Sequence, residues 1–497
     1  MTNMAMKTGA SSREVASHGL TERSVSEARS ESAAMPAPFS WTQRERTELP
    51  VRIVGSVPAW LSGDLVRTAP AVFEQGSWRA QHYFDALGLI YGFSFGDGVR
   101  FKQQKLASRF ASEIDRGSAA TGSFGTDMKR GFFKRALQPI PHVTDNANVN
   151  VIPWQGQWLA MTETPHQHVI DGKDLRSRGV FVYDDELPSS MSMSAHPHFD
   201  FERKALVNVG TLIGAKNELC VYRQAAGSTT RVVEGKLAFK QLPYLHDFGL
   251  TPRHALIIDH PLTVHPLKLL FSNRGFNSCM RWNAERGTRL WKLSRETGKW
   301  TSYETESLFC FHTVNAFDDG DDVVFDFLAY DDASIVEKLK LGPLLERGHT
   351  SIKARYVRAR LSPGKQHADL QLLSEQRFEF PNIAYRQQHG HRYDVAWGVA
   401  INPEQQGASE SEIVRVDLQG DTVQRFGDSG VLYGEPVFVP RPGAARSEDG
   451  VLLSLGSHLQ EERATLAVLD ASTLEPLARC HVELSLPLGF HGSFQGR

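Results

Sequence analysis

The sequence predicts an all-β protein, and three observations support this prediction. Short runs of alternating apolar and polar residues recur through most of the chain, as in GLIYGFSFGDGVRFKQQKL and DVVFDFLAYDD, and such alternation is typical of half-buried strands. Clusters of Gly, Asp, Asn and Pro separate these runs about every 8 to 12 residues, as expected of strands joined by tight turns. Helical periodicity is weak outside residues 333–348, and no βαβ series is visible, so a dinucleotide-binding sheet is not predicted.

A long antiparallel meander must protect its edge strands by closing, by stacking or by repeating radially. The chain has 497 residues, of which 41% are hydrophobic, and a single body of this size needs no disulfide or structural metal to fold. Length and turn spacing favour a β-propeller over a pair of β-sandwiches, although no WD or kelch repeat is present. The pattern alone leaves both architectures open.

Residues 1–38 differ in composition from the rest of the chain. They are rich in Ser, Ala, Glu and Arg, and we predict a disordered tail because they can bury too little apolar surface to offset the entropy of ordering. Residues 39–497 are predicted to form one domain. The N-terminus lacks the apolar stretch of a signal peptide, and no window approaches the roughly 18 apolar residues that span a bilayer. We expect a cytoplasmic protein, or one peripheral to a membrane.

Charge and cysteine usage exclude further classes of function. The formal net charge is −2, so no overall field attracts the chain to nucleic acid. The four cysteines are far apart and form no CxxC pair, which argues against a zinc ribbon or a disulfide framework and fits a reducing compartment. No GxSxG or cysteine nucleophile motif is present, and no obligate protein partner is indicated.

Four segments each place one histidine beside apolar and turn residues. They are SAHPHFD (His196), LPYLHDFGLTP (His246), LFCFHTVNAFDDG (His312) and LGFHGSF (His491). Separations this long exclude a local metal motif, but the four side chains could converge if each came from a different part of a closed ring. The first segment also contains His198, and spacing does not choose between it and His196.

Several imidazoles around one ion would suit divalent iron and leave coordination positions open for O2. Metal-bound histidines usually donate their second N–H to a carboxylate. Three glutamates in apolar, turn-flanked settings are candidates for this role: Glu163 in MTETP, Glu379 in FEFPNIAY and Glu435 in YGEPVFVP. Taken singly, each histidine and glutamate also fits an ordinary core or edge-strand role, so the residues alone leave the metal site open.

Ten segments, in order from about Pro58 to the C-terminus, resemble the carotenoid cleavage oxygenase family, and most of all its β-carotene oxygenase and retinoid isomerohydrolase branch. They are VPAWLSGDLVRTAP, HYFDALGLIYGFSF, VTDNANVNVIPW, MTETPHQHVID, SAHPHFD, YLHDFGLTP, LFCFHTVNAFDD, FEFPNIAY, GEPVFVP and GFHGSF. Two motifs depart from the family pattern: Arg67-Thr68-Ala69-Pro70, where the family often has Arg-Asn-Gly-Pro, and Asp85-Ala86, where it usually has Asp-Gly. Both departures are predicted to affect local turns rather than metal binding.

The resemblance implies a seven-bladed β-propeller with Fe(II) on its axis and a dome of loops and helices over an apolar tunnel. It selects His196 over His198, because the family's ligand follows Ala and precedes Pro. The implied set is four ligands, His196, His246, His312 and His491, and three carboxylates behind them, Glu163, Glu379 and Glu435. The implied activity is a dioxygenase that uses O2 to cleave a C=C bond of a carotenoid or apocarotenoid into two carbonyl products. Because His491 is close to the C-terminus, the last strand is expected to close the ring.

The segment MKRGFFKRALQPIP combines basic and aromatic residues in the way typical of a membrane-surface contact. The candidate contact residues are Lys129, Arg130, Phe132, Phe133, Lys134, Arg135 and Leu137. Residues 261–271 form a second apolar stretch, for which an ordinary loop is an equally good interpretation. Three alternative functions remain open: a stilbene-cleaving dioxygenase, a retinyl-ester isomerohydrolase that consumes no O2, and a non-enzymatic propeller that serves as an interaction platform.

Overall fold

The computed structural model describes residues 37–42, 48–137, 141–213, 217–265, 268, 272–347, 350–401 and 410–497. Within these residues the strands form seven antiparallel sheets of four to six strands, arranged as the blades of a β-propeller. The predicted all-β class and the seven-bladed architecture are confirmed. Most of the predicted tail, residues 1–36, lies outside the described residues, whereas Ala37–Phe39 forms a short 3-10 helix in which Pro38 and Phe39 are buried.

The blades are numbered along the chain, and their strands are given from the outer to the inner edge. Blade 1 contains Glu48–Pro50, Gly98–Lys105, Leu87–Gly96, Gly63–Val72 and Gly492–Gly496; blade 2 Ser177–Val180, His168–Ile170, Gln157–Met161 and Asn150–Trp154; blade 3 Arg231–Phe239, Asn217–Ala225, Ala205–Leu212, His198–Asp200 and Ser192–Met193; blade 4 Trp300–Thr305, Thr288–Ser294, His254–Asp259 and Gly249–Leu250.

The remaining blades follow the same order. Blade 5 contains Asp369–Ser374, Arg355–Leu361, Asp322–Tyr330 and Phe309–Asp319; blade 6 Thr422–Phe426, Glu412–Asp417, Val395–Ala400 and Glu379–Asn382; blade 7 Arg52–Gly55, Pro476–Val482, Ala464–Asp470, Gly450–His458, Val437–Pro440 and Val431–Tyr433. Two small two-stranded sheets pair Glu74–Gln75 with Trp78–Arg79 and Leu262–Val264 with Met280–Trp282.

The two ends of the described chain close the ring, as expected from the position of His491. In blade 1 the last strand, Gly492–Gly496, pairs antiparallel with Gly63–Val72, and in blade 7 Arg52–Gly55 pairs with Pro476–Val482. The approach at Gly492 is so close that a Cβ there would lie 2.4 Å from Cγ of Arg67. Glycine is therefore required where the last strand meets the first blade.

Short helices lie between the strands. The α-helices whose bounds lie within the described residues are Arg109–Asp115, Phe132–Leu137, Ser334–Lys338, Leu341–Arg347 and Tyr385–Gln388, and the other 3-10 helices there are Tyr83–Asp85, Phe276–Cys279 and Ala284–Arg286. The helix predicted over 333–348 is thus present as two short helices. Tyr83, Phe110, Leu344 and Phe490 pack in one apolar cluster, which joins three of the helical segments to the residue before His491. No helix among the described residues is long and apolar enough to cross a bilayer.

Candidate metal centre

The four predicted histidines lie at the inner ends of four blades. His196 lies between the two inner strands of blade 3, and His246 precedes the inner strand of blade 4. His312 is within the inner strand of blade 5, and His491 precedes the closing strand of blade 1. Because inner strands of a propeller face one axis, side chains that are remote in sequence meet at one place. We call these four residues the histidine cluster.

The imidazoles converge through their Nε2 atoms. The Nε2–Nε2 distance is 3.1 Å between His196 and His246, 3.2 Å between His246 and His312 and 3.1 Å between His312 and His491. One ligand atom from each of the four residues lies within 4.8 Å of the others. His198 lies outside this cluster, because its Nδ1 bonds with the Tyr385 hydroxyl and its Nε2 with the Phe248 carbonyl.

Three of the histidines are each paired with one of the predicted glutamates. Glu163 bonds with Nδ1 of His246, Glu379 with Nδ1 of His312 at 2.5 Å and Glu435 with Nδ1 of His491 at 2.7 Å. A carboxylate accepts, so Nδ1 of each imidazole carries the proton and Nε2 carries a lone pair. Lone pairs that face one another at about 3 Å repel unless a cation lies between them, so this donor set fits a divalent metal ion.

Burial keeps part of the cluster in the neutral form that binds metals. Burial, with a smaller effect of the neighbouring histidines, lowers the pKa of both His196 and His491 well below the ordinary value. Burial also raises the pKa of the Glu435 carboxyl to about 7, while Arg67 opposes this shift. The pKa of Tyr244 is raised well above its usual range, first by burial and then by Glu163, so the phenol remains a hydrogen-bond donor.

The three carboxylates have different surroundings that sequence reasoning did not predict. Glu163 accepts from the Tyr244 hydroxyl at 2.9 Å, and Glu435 forms a 3.1 Å ion pair with Arg67. Glu379 is followed by Phe380, whose φ of 53° is strained for an aromatic residue. In the YLHDFG segment, Tyr244 and His246 are two residues apart, and side chains at this spacing share one face of an extended segment. This spacing could have identified Tyr244 as a neighbour of the metal site.

Asp247 links two of the ligand-bearing segments. It follows His246 directly, and its carboxylate accepts from the backbone N–H of Thr313 at 2.7 Å and from the Thr313 hydroxyl at 2.8 Å. Burial raises the pKa of Asp247, but the nearby His198, whose Nε2 lies 3.6 Å from Oδ1 of Asp247, and the backbone N–H of Thr313 outweigh burial and hold that pKa well below the usual range. The ionised carboxylate therefore fixes His246 relative to His312, the residue before Thr313.

A cavity of about 1060 Å³ reaches the histidine cluster, at the upper end of the sizes usual for ligand pockets. His246, His312 and His491 all contribute to its lining. The apolar part of the wall includes Phe39, Phe84, Phe110, Phe124, Phe276, Phe311, Phe380, Phe490, Met193, Val149, Val264, Leu339, Leu344 and Ile352. We call the end at the histidine cluster the floor. Its walls suit an apolar ligand held by contact rather than by many hydrogen bonds.

The predicted membrane segment lies beside this cavity, and we call the part of the cavity next to it the mouth. Met128 and Pro141, on either side of helix Phe132–Leu137, both line the cavity. Phe132, Phe133 and Leu137 are 80%, 81% and 88% exposed.

Arg130 does not belong to this exposed surface, which argues against its predicted role as a contact residue. The residue is only 7% exposed, and backbone hydrogen bonds from Met128 to Asn273 and from Lys129 to Ala119 hold this segment against the body. Lys129 is exposed, and its ammonium group donates to the carbonyl of Ser77 at 3.2 Å. The side chains of Lys134 and Arg135, and residues 266–267 and 269–271 of the second apolar stretch, lie outside the described structure.

Comparison with known proteins agrees with this geometry. The family described as retinal pigment epithelial membrane protein matches residues 39–496. The chain belongs to this family, which is that of the carotenoid oxygenases.

Individual relatives are similar over nearly their whole length. The β,β-carotene 15,15'-dioxygenase of Mus musculus is 26% identical and covers 92% of this chain and 91% of its own. The apocarotenoid-15,15'-oxygenase of Synechocystis is 27% identical, with 89% and 92% covered. A solved variant of the Synechocystis apocarotenoid oxygenase superposes with a TM-score of 0.82 at 24% identity, covering 93% of this chain and 98% of that one, and this likeness shows the fold.

Proposed function

We propose that this protein is a non-haem iron dioxygenase that cleaves a C=C bond of a carotenoid or apocarotenoid into two carbonyl products. The observation that carries this proposal is the convergence of four imidazole Nε2 atoms at the floor of a large apolar cavity. The relatives support the same reaction class, since they are named as oxygenases of carotenoids and apocarotenoids.

The histidine cluster would hold the metal, with one neutral imidazole from each residue. When bound, an Fe(II) ion with open coordination positions supplies the activation of O2 for cleavage of the double bond, and both oxygen atoms enter the products. Glu163, Glu379 and Glu435 keep the proton on Nδ1 of three ligands, so that each Nε2 lone pair stays directed at the ion. One of the similar solved structures is a cobalt-substituted Synechocystis apocarotenoid oxygenase, which supports a divalent ion in such a site.

The cavity would orient the substrate and keep water away from the reacting bond. Phe311 and Phe380 pack against the rings of the cluster, with ring centroids 5.3 Å from His246 and 5.5 Å from His312 respectively. These side chains leave the floor apolar beside the metal position, where a polyene can lie against them. The depth to which one end of the polyene enters the cavity then decides which bond lies at the floor.

The alternatives have less support. Recognition of a hydroxylated stilbene needs polar groups that bind phenols, whereas the rings packed against His246 and His312 include the apolar side chains of Phe311 and Phe380. A retinyl-ester isomerohydrolase would consume no O2, so O2 uptake during turnover distinguishes it from the proposed dioxygenase. A non-enzymatic platform would have no reason to keep four imidazoles facing one another inside the ring.

We further propose that helix Phe132–Leu137 contacts a membrane surface, so that the protein is peripheral to a membrane. We propose the cytoplasm as its compartment. Its three exposed apolar side chains lie beside the mouth, where an apolar substrate would leave the lipid. Insertion of these side chains would bury apolar surface that now faces water.

Metal analysis and product analysis together test the proposed function. We expect purified protein to contain about one iron per chain and to consume O2 while cleaving β-carotene or an apocarotenal into carbonyl products identified by mass spectrometry. A hydroxystilbene offered in parallel should be turned over poorly. Protein that binds no divalent metal, or that turns over only the stilbene, would contradict the proposal.

A further inference from the structure

Arg67 is a buried arginine on the blade 1 strand Gly63–Val72, and its side chain is 1% exposed. Its Nη1 lies 3.1 Å from Oε2 of Glu435 and donates to the backbone carbonyl of the same residue at 3.2 Å. Its Nη2 donates to the carbonyl of Phe490 at 2.9 Å, and Nε donates to the Tyr91 hydroxyl at 3.2 Å. One guanidinium thus contacts both Phe490, the residue before His491, and Glu435, whose carboxylate accepts the hydrogen bond from Nδ1 of His491.

This arrangement distinguishes Glu435 from the other two carboxylates. Among the described residues, Glu163 and Glu379 form ion pairs only with their own histidines, His246 and His312. Glu435 alone shares its two oxygens between an imidazole and a guanidinium. Because a planar guanidinium holds several acceptors in a rigid fork, it restricts how far this carboxylate can rotate away from Nδ1 of His491.

The backbone next to Arg67 reinforces the same contact. Arg67 is the ladder partner of Gly492, and Thr68 donates to the carbonyl of His491 from its backbone N–H at 3.1 Å and from its hydroxyl at 3.2 Å. Thr68 is one of the positions where the chain departs from the Arg-Asn-Gly-Pro pattern. The departure was predicted to affect a local turn, but the structure places it directly against a candidate metal ligand.

We propose that Arg67 is a positioning residue for the metal centre. Arg67 holds the Glu435 carboxylate and the Phe490 carbonyl in place. The orientation of the His491 imidazole therefore depends on the pairing of strand Gly63–Val72 with strand Gly492–Gly496 in blade 1. Metal affinity is therefore coupled to closure of the propeller ring at its seam. This inference rests on the proposed metal site.

Co(II) titration of metal-free protein tests the inference, with the visible spectrum of bound Co(II) as a readout of ligand geometry that does not require turnover. Arg67→Met should weaken Co(II) binding by about 10- to 100-fold, the usual loss when a partner behind a metal ligand is removed. It should also change the Co(II) absorption bands. Arg67→Lys keeps the charge without the fork and should lie between Arg67→Met and the wild-type protein.

Arg295 provides a matched control, because its side chain is also 1% exposed and pairs with two carboxylates, Asp200 and Glu234, that do not contact the histidine cluster. Arg295→Met should lower the melting temperature while leaving Co(II) affinity within about twofold of wild type. The double variant Arg67→Met with Glu435→Gln should bind no more weakly than the worse single variant, because both changes act through His491.

Unchanged Co(II) affinity and spectrum in Arg67→Met would overturn the inference. So would a double variant whose loss of Co(II) binding free energy equals the sum of the two single losses, or an Arg295→Met variant that loses as much Co(II) affinity as Arg67→Met. If Arg67→Met does not fold, Arg67→Lys decides: an affinity at least fivefold weaker supports the inference, and wild-type behaviour contradicts it. Wild-type protein that binds no Co(II) would instead overturn the proposed metal site itself.

Discussion

At the floor of the cavity the polar side chains are paired with one another, whereas at the mouth apolar side chains face water without cover. Three histidines of the cluster are bonded to buried or half-buried carboxylates, and those carboxylates are bonded in turn to Arg67 or Tyr244 or lie in apolar surroundings. Helix Phe132–Leu137 at the mouth exposes both phenylalanines and its last leucine. The two regions are continuous through one cavity.

This contrast separates two physical tasks. A metal centre needs donor atoms held to within a fraction of an ångström, and networks of short hydrogen bonds in a low-dielectric interior provide that rigidity. Capture of a water-insoluble polyene needs an apolar surface that remains uncovered until it meets lipid. Substitutions at the floor should therefore change metal binding without changing lipid binding, and substitutions at the mouth should do the reverse.

The largest effect is expected when one imidazole is removed from the floor. His196→Ala should weaken Fe(II) binding by more than about 100-fold, beyond the loss typical of the partners behind a ligand, and reduce cleavage to background. The neighbouring His198→Ala is the comparison, because that side chain bonds to Tyr385 and to the Phe248 carbonyl and reaches the cluster only through Asp247, so a much smaller loss is expected. Iron per chain, measured by mass spectrometry, checks both. Equal iron loss in the two variants would contradict the assignment of His196.

A smaller effect is expected from neutralising the carboxylates one at a time. Glu379 is 4% exposed and bonds to His312 at 2.5 Å, so Glu379→Gln should weaken metal binding by about 10- to 100-fold. Glu163 is more exposed and also accepts from Tyr244, which would still hold a glutamine in place, so Glu163→Gln should lose less than about tenfold. Co(II) titration of the two variants measures the difference. The reverse order would show that burial does not set the importance of these carboxylates.

Much of this contrast could be predicted from the sequence. Alternation and turn spacing are local properties, so strand content followed from the residues themselves, whereas the number of blades depends on how sheets close and required the family resemblance. The histidine cluster also required the family resemblance, since His312 and His491 meet only because the ring closes. The pairing of each glutamate with its histidine is likewise set by topology, which spacing along the chain does not report.

Residues behind the ligands escaped prediction for a related reason. Arg67 reaches Glu435 and Phe490 across the closed seam, and nothing in its own segment indicates this contact. At the mouth, composition treated all the basic residues alike and so included Arg130, which the backbone contacts of residues 128–130 bury. Sequence pattern identifies candidate side chains, but burial of each one depends on contacts with remote segments such as that of Asn273.

The third prediction concerns the mouth alone. Replacing Phe132, Phe133 and Leu137 with serine should lower binding to anionic phospholipid vesicles at least tenfold, because full burial of each such side chain contributes about 1.5–3 kcal/mol and partial insertion of three exceeds the 1.4 kcal/mol of one decade. Cosedimentation measures the binding. Turnover of detergent-solubilised substrate should stay within about twofold of wild type.

A triple serine variant at exposed apolar residues elsewhere is the control for this surface. Val182, Val232 and Leu372 are 76%, 43% and 41% exposed and are not among the residues that line the cavity. Vesicle binding should be unchanged in that variant. Comparable losses in both triple variants would show that lipid binding has no preferred site at the mouth.

The smallest effect concerns the cavity wall, where His82 packs against two lining residues, Phe84 and Phe124. Its Nε2 donates to the Val336 carbonyl and its Nδ1 accepts from the Phe84 N–H, so only the neutral ring is satisfied, and burial lowers its pKa to about 4. The unfolded chain, with a histidine pKa of about 6.5, therefore binds more protons than the folded protein as the pH falls. From pH 7 to 5.5 this residue should cost roughly 1 kcal/mol of unfolding free energy. His82→Gln should reduce the acid-dependent loss in urea unfolding by that amount, and an unchanged pH dependence would show that His82 is not neutral in the wall.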